Sequence, residues 1–406
     1  MESRPDMQLQ TKNDSALAKC AVAISAGLAF AWLGCLVAMW IQHNWILDAQ
    51  GKPNFTDFLE VWVAGRTALR GAPAATYDPV LHHAAQVAAV GHPLQGFLWW
   101  HYPPLFLLVA AALALMPYVT AFIVWSAATL ACYAATVATI ARSRMAALVA
   151  CGIPAVFINS VVGQNGCFTA ALLGGVLLNL ETRPVLAGMF LGLLTYKPQM
   201  GLLFPLVLLA TGRWRAFVSA AIATVFAIGV PWYVFGADTF RAFLHFLPRA
   251  SDSLLTHGDA GWNKLQTIYG VARSLGCDNL PASMLQAAVT LAAAVAVIWL
   301  WRRDVTFGLK AAALATASLF ATPYLYMYDL PILAVPLALL FRDRAFDRTE
   351  ILGIGFANIC ILTFACGILA LPVGTLAVAA VSMLILRRAL QHSGAPAHSP
   401  LAMQVA

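Results

Sequence analysis

From Ala21 to Ile41 the chain reads "AVAISAGLAFAWLGCLVAMWI", a run without a single charged residue. An α-helix needs about 20 apolar residues to cross the roughly 30 Å hydrocarbon layer of a bilayer, because backbone polar groups in lipid must be satisfied inside the element itself. Similar runs recur along the 406 residues, of which 61% are hydrophobic and 10% charged. That is more apolar material than a soluble domain can bury. The expected fold is an all-α polytopic membrane bundle. Hydropathy places spans at about 16–41, 102–117, 119–141, 145–161, 167–180, 184–211, 215–235, 284–301, 305–322, 330–341, 350–369 and 372–386, about twelve transmembrane helices in all.

A net charge of +7 in a soluble chain would suggest a nucleic-acid partner. Here Lys and Arg gather between apolar runs, a pattern that sets topology, so no nucleic acid is expected. With Lys12, Lys19, Arg213, Arg215, Arg302, Arg303, Lys310, Arg342, Arg344, Arg348, Arg387 and Arg388 in the cytoplasm, residues 1–15 and 391–406 are cytoplasmic ends. The transmembrane domain covers 16–390, and the polar segments of about 42–101 and 236–283 lie outside. The tail 391–406 is small, polar and aperiodic, which predicts disorder. Arg142 and Arg144 come out on the external side against the rule, so the side on which "GQNG" (Gly163–Gly166) sits stays open. The first run is too long for a signal-peptide core and reads as a retained helix. Seven of the eight cysteines lie in or beside apolar runs without metal-like spacing, so they read as packing residues and no metal site is expected. No internal repeat is visible.

In such a chain each ionisable group at an apolar boundary is informative, since burying it costs several kcal/mol unless it is paired or wet. "KPNFTDFLEVWVAGRTALRG" (52–71) places Asp57 and Glu60 three residues apart. As a helix it puts Asp57, Glu60, Val61, Ala64 and Ala68 on one face, with Trp62 at headgroup level, and so reads as an interfacial helix in the first external loop. The plain alternative makes Asp57 a helix cap and Glu60 the partner of a nearby arginine such as Arg66. In "GFLWWHYPPLFLL" (96–108) an aromatic belt meets a proline-started helix; interface anchoring accounts for Trp99 and Trp100 better than for His101 beside Tyr102. "VVGQNGCF" and "LGLLTYKPQMGLL" put Gln164, Asn165, Lys197 and Gln199 at breaks in apolar helices. Lys197 either snorkels to the interface or meets an anion such as phosphate. In "TPYLYMYDLPILAVPLALL" (322–340), Asp329 follows Tyr324, Tyr326 and Tyr328 and reads by default as a cap. The second external segment adds Asp238, His245, Arg249, His257, Asp259, Trp262, Asn263 and Lys264, a mixture suited to a sugar, a headgroup or a plain solvated loop.

Taken in order, "DF" at Asp57, "YDP" at Tyr77–Pro79, "YPP" at Tyr102–Pro104, "GQN" at Gly163–Asn165, "KPQ" at Lys197–Gln199 and "SLFATPYLYMYDL" at Ser318–Leu330 resemble the family 87 glycosyltransferases. These are membrane enzymes of the GT-C type, typified by polyprenyl-phosphate-mannose-dependent mannosyltransferases of bacteria. The resemblance runs over roughly residues 15–345. It implies a GT-C-type bundle in a bacterial plasma membrane and inverting transfer of a hexose, mannose first among them, from a polyprenyl-phosphate donor to a lipid or glycan acceptor outside the cytoplasm. It also implies an acidic base in the first external loop, the position that Asp57 matches. Many relatives show a histidine near Asp329, where this chain has "YDL".

On that reading Asp57 is the base, and Lys197, Gln164, Asn165, Arg66 and His101 hold the donor phosphate. Glu60, Tyr102, Asp329, Tyr328 and His257 support the acceptor or the site. Phosphate is a good leaving group and needs no second acid, and no metal or cofactor is required. The rival expectation is a transporter or flippase of lipid-linked sugars or small molecules, with Lys197 lining its path.

Overall fold

Proline and glycine divide the apolar runs into helices of two kinds. The structure, a computed structural model, describes residues 4–94, 96 and 98–393, and among them there is no strand. Six helices are long and apolar enough to cross a membrane: α1 (Arg4–Ile41), α5 (Tyr118–Ala141), α11 (Trp214–Ser251), α13 (Asn279–Trp301), α16 (Arg348–Ala365) and α17 (Gly374–Ser393). A seventh span exists if α6 (Arg144–Cys151) and α7 (Pro154–Val162), bent by 64° at a break, count as one. The rest of the bundle is shorter: α4 (Pro104–Ala114), α8 (Gly166–Asn179), α9 (Pro184–Leu193), α10 (Leu203–Ala210), α14 (Phe307–Phe320) and α15 (Ala334–Asp343). All twelve runs drafted from hydropathy are helical, but only some are long enough to cross alone.

The breaks have local causes. Pro104, Pro154 and Pro184 each start a helix in its first turn, where a missing N–H costs nothing. Pro198 ends the path of α9 through the 3₁₀ turn Leu194–Tyr196, so Lys197 sits in non-helical backbone (φ −136°, ψ 68°) between two short 3₁₀ turns. Long helices sit outside: Ile24, Phe30, Leu33 and Val37 of α1 are exposed as lipid-facing residues. Short ones sit inside, and α8 is buried along nearly its whole length. The α1 contact is nonetheless specific, with Trp32 Nε1 donating to the Gly152 carbonyl at 3.1 Å and stacking on Phe157.

The N-terminal segment is helical from Arg4 and continuous with the first span. Three expectations need correction. Of the tail 391–406, residues 391–393 continue α17 and 394–406 lie outside the described residues. The second polar segment does not begin as a loop at 236. Gly236 takes φ 78° and ψ 166°, a conformation open to glycine, and the helix resumes on a new axis to Ser251. Its Phe243 and Phe246 then pack on Tyr77, Trp99 and His101 of the first polar segment.

The last correction concerns that first segment, which holds α2 (Asp57–Leu69), a 3₁₀ turn at Pro73–Tyr77 and α3 (Pro79–Val90). α2 does not lie with one face free. Phe58, Leu59, Val61, Val63 and Ala64 are all buried, because Gly65 lets α2 approach the Ala110 carbonyl of α4 where a Cβ would collide. Trp62 faces inward enough to donate to the Met116 carbonyl at 3.1 Å.

Candidate functional site

Thr56, not Asp57, is the residue that precedes α2, and its side chain lies against the Tyr118 hydroxyl instead of capping. Asp57, the first helical residue, is thereby released from the cap role, and its Oδ2 accepts from Gln164 Nε2 at 3.1 Å. Glu60, one turn on and 5% exposed, has no arginine partner among the described residues; its Oε1 faces the same Gln164 amide at 3.4 Å.

The "GQNG" turn delivers that amide. Gly163 ends α7 in the left-handed region at φ 70°, and Gly166 starts α8 so close to the Tyr328 carbonyl that any Cβ would clash with it. Asn159 steadies the turn, its Oδ1 accepting from the Gly166 N–H at 2.8 Å. Between the glycines, Gln164 Oε1 accepts from the Tyr102 hydroxyl at 2.9 Å, and Asn165 Nδ2 donates to the Tyr102 hydroxyl oxygen at 2.7 Å. Asn165 Oδ1 in turn accepts from Lys197 Nζ at 3.0 Å.

Lys197 is 5% exposed, so it does not snorkel. Its Nζ lies 2.5 Å from Oδ1 of the fully buried Asp329 and over the Tyr328 ring at 5.4 Å. The other Asp329 oxygen accepts from the Tyr326 N–H at 3.1 Å, so this aspartate both caps its 3₁₀ turn (Met327–Leu333) and pairs with the lysine. A continuous polar chain therefore runs through the protein from Asp57 through Gln164, Tyr102, Asn165 and Lys197 to Asp329. Its outer end is open: Asp57, Tyr326 and Tyr328 are half-buried, and the two tyrosine rings stack at 5.3 Å and 8°.

Electrostatics separate the two carboxylates of α2. Burial pushes Asp57 above the usual carboxylate range, while the Gln164 hydrogen bond and the Lys264 charge pull part of that back. Glu60 rises further, by burial first and then by the charge of Asp57. Asp57 is the member of the pair that is both reachable and the more readily ionised.

Of the residues singled out in the sequence, Asp57, Glu60, Tyr102, Gln164, Asn165, Lys197, Tyr328 and Asp329 come together. Three make other contacts. Arg66, nine residues along α2 from Asp57, lies over the Trp62 ring at 4.8 Å. His101 packs on Trp99 and Phe246, and burial lowers its pKa to about 4, which leaves it neutral at pH 7. His257 is exposed and close to Asp252 at 3.4 Å. Gln199, also at the break, takes no part in the network's hydrogen bonds among the described residues. Sequence reasoning passed over Asn159, which reads as an ordinary helical residue, and Tyr196, whose hydroxyl meets Thr169 at 2.5 Å under the site. His82 was passed over too; it is buried with both ring nitrogens unpartnered among the described residues, and its pKa is lowered to about 3, chiefly by burial. Among the described residues no group of His, Cys, Asp or Glu has the geometry to hold a metal.

A family model described as glycosyltransferase family 87 matches residues 100–323, more than half of the chain. No curated protein and no solved structure matches it.

Proposed function

The chain belongs to glycosyltransferase family 87, and from that membership we propose a membrane enzyme that moves a hexose, with mannose the first choice, from a polyprenyl-phosphate donor to a lipid or glycan acceptor on the extracytoplasmic face. The observation that carries the proposal is the buried polar chain ending in a half-exposed Asp57. Asp57 is the base: it takes the proton of an acceptor hydroxyl as that oxygen bonds to the anomeric carbon. The bond from that carbon to the phosphate oxygen breaks, its electron pair leaves with the phosphate, and the centre inverts. A carboxyl pKa raised by burial suits the task, since a stronger base takes a proton more readily.

Gln164, Asn165 and Tyr102 supply donors near the leaving group, and the N-terminus of α8 favours an anion there, with Lys197, paired to Asp329, behind them. The lipid part of the donor has a matching surface. A groove of about 920 Å³ between α4, α9 and α11 is lined by Leu105, Leu193, Met189, Ile222 and Trp214, of which Leu105 and Leu193 lie three and four positions along the chain from Tyr102 and Lys197. Family membership favours this reading over the transporter.

The test is incubation of purified protein with labelled polyprenyl-phosphate hexoses and a membrane lipid extract. Donor consumption by the wild type, with loss in Asp57→Asn, is the expected result. A folded wild type that consumes none of the donors would end the proposal.

A further inference from the structure

The buried network holds Asp57, Glu60 and Asp329 against one lysine, and Lys197 already spends its charge on Asp329 at 2.5 Å. An anionic phosphodiester entering that site meets no surplus positive charge from the network itself. The missing cation must stand at the mouth.

The segment Trp262–Lys264 is a single 3₁₀ turn, and the residue after it, Leu265, pairs as an isolated β-bridge with Tyr326. The next residue, Gln266, is 1% exposed and acts as a staple. Its backbone N–H donates to the Leu325 carbonyl at 2.7 Å, and its Nε2 donates to the carbonyls of Asn263 at 3.0 Å and Lys264 at 3.1 Å. Its Oε1 accepts from the Gly374 N–H at the start of α17 at 2.8 Å. Lys264 is thus fixed by its backbone next to the Tyr326–Tyr328 pair, while its side chain is exposed and makes no ion pair among the described residues. Two arginines of the same segment are engaged: Arg241 pairs with Asp238 at 2.7 Å, and Arg273 lies over Trp262 at 4.0 Å and bonds to the Cys277 and Thr256 carbonyls.

Resting on the donor reading above, we infer that Lys264 is a second, previously unassigned anion-binding residue, which meets the donor phosphate at the mouth of the site opposite Asp57. A buried, committed lysine organises the site, and an exposed, uncommitted one on a stapled turn recruits the charged ligand. The same placement gives Lys264 a second effect, on the base. The charged and titratable groups around Asp57 are Glu60 on its own helix, Lys264, the hydroxyls of Tyr326 and Tyr328, and behind them the Lys197–Asp329 pair. Removing the Lys264 charge therefore lets the Asp57 pKa rise further.

The experiment measures binding of polyprenyl phosphate, which needs no turnover, to purified wild type, Lys264→Gln, Lys264→Arg and the remote control Lys52→Gln, each at low and high salt, alongside the transfer assay. Expected are about tenfold weaker binding in Lys264→Gln with a flattened salt dependence, rescue in Lys264→Arg, and no change in Lys52→Gln. In transfer, Lys264→Gln raises donor KM more than it lowers kcat and moves the acid limb of kcat/KM to higher pH. An unfolding midpoint equal to wild type shows that the fold is intact. Equal binding by Lys264→Gln and wild type overturns the inference, as does a wild type that does not bind polyprenyl phosphate. Lys264-dependent binding without any transfer keeps the inference and removes the transferase reading.

Discussion

Two buried acid–base clusters flank α15 in the chain, one reaching it at Asp329 and the other at Arg344, and they are built on different terms. At the far end from the Asp57 site, Arg388 (3% exposed) grips Glu350 with two bonds, Nε to Oε1 at 2.7 Å and a terminal nitrogen to Oε2 at 2.9 Å. Arg344 adds a bond to Glu350 at 2.9 Å, and the Asp347 N–H donates to its other oxygen at 2.9 Å. The remaining Arg388 donors go to the Leu340 and Arg344 carbonyls. Every member is satisfied by fixed protein groups, and the cluster ties α15, α16 and α17 together. In the Asp57 site the partners are amides, a phenol and one lysine, the outer members are half-exposed, and two carboxylates share one amide. A saturated cluster is a clamp; one left short of charge and open at one end is set up to take a ligand.

Four substitution and titration experiments would break or sharpen that contrast. The largest effect belongs to Asp57→Asn: transfer should fall about 10²- to 10⁴-fold, with the unfolding midpoint in detergent little changed because Gln164 can turn its amide to the new partner. A large stability loss instead would return Asp57 to a structural role. Next comes Glu350→Ala, which leaves Arg388 buried without its partner and should cost about 3–5 kcal/mol of stability. Activity per folded molecule, measured after removing aggregate, should stay near wild type; if it collapses, the clamp is coupled to chemistry.

Asp329→Asn should act between the two. Asn165 and the Tyr328 ring remain around Lys197, so the stability cost should be about 1–3 kcal/mol, accompanied by roughly tenfold slower transfer. The double variant Lys197→Met with Asp329→Leu sharpens the point. Replacing both members of a buried pair by apolar groups should recover much of the stability and none of the transfer.

The smallest effect is a pH displacement. With Asp57 as the proposed base, transfer needs it ionised, and because burial chiefly raises its pKa the acid limb of kcat/KM should lie above the ordinary carboxylate value and activity should climb as pH rises through it. The sign for stability is opposite: a carboxyl raised in the folded state favours folding at low pH, and that contribution is lost as pH rises through the folded pKa. Asp347 in the clamp shows the reverse. Partial burial raises it, but the Arg387 hydrogen bond and the Glu350 N–H outweigh that and hold it low, so its contribution is lost as pH falls below about 4. An acid limb at the unshifted value would place the base elsewhere.

Much of the fold was legible before any coordinate. Charge-free runs had to become helices, since lipid offers a backbone no other partner, and proline marked the breaks at Pro104 and Pro198, whereas the bend before Pro154 falls inside the span read as continuous over 145–161. Asp57, Lys197 and Asp329 stood out for the same reason, because an ionisable group in an apolar chain must have a use or a partner. The arginines of 342–348 and 387–388 read equally well as topology signals, and nothing local announced that Arg388 would be interior.

What the sequence determined by itself, then, was composition against solvent: which segments enter a membrane, where they break, and which polar residues the chain carries at a cost. Tertiary structure alone decided who meets whom. Gln164 reaches Asp57 across 107 positions and Lys197 reaches Asp329 across 132, Gly166 is required only because the Tyr328 carbonyl arrives beside it, and α11 continues past Gly236 to pack on the first polar segment. The reason is physical. The cost of placing a group in lipid is a property of that group and its near neighbours, whereas the partner that offsets the cost is fixed by packing between helices far apart in the chain.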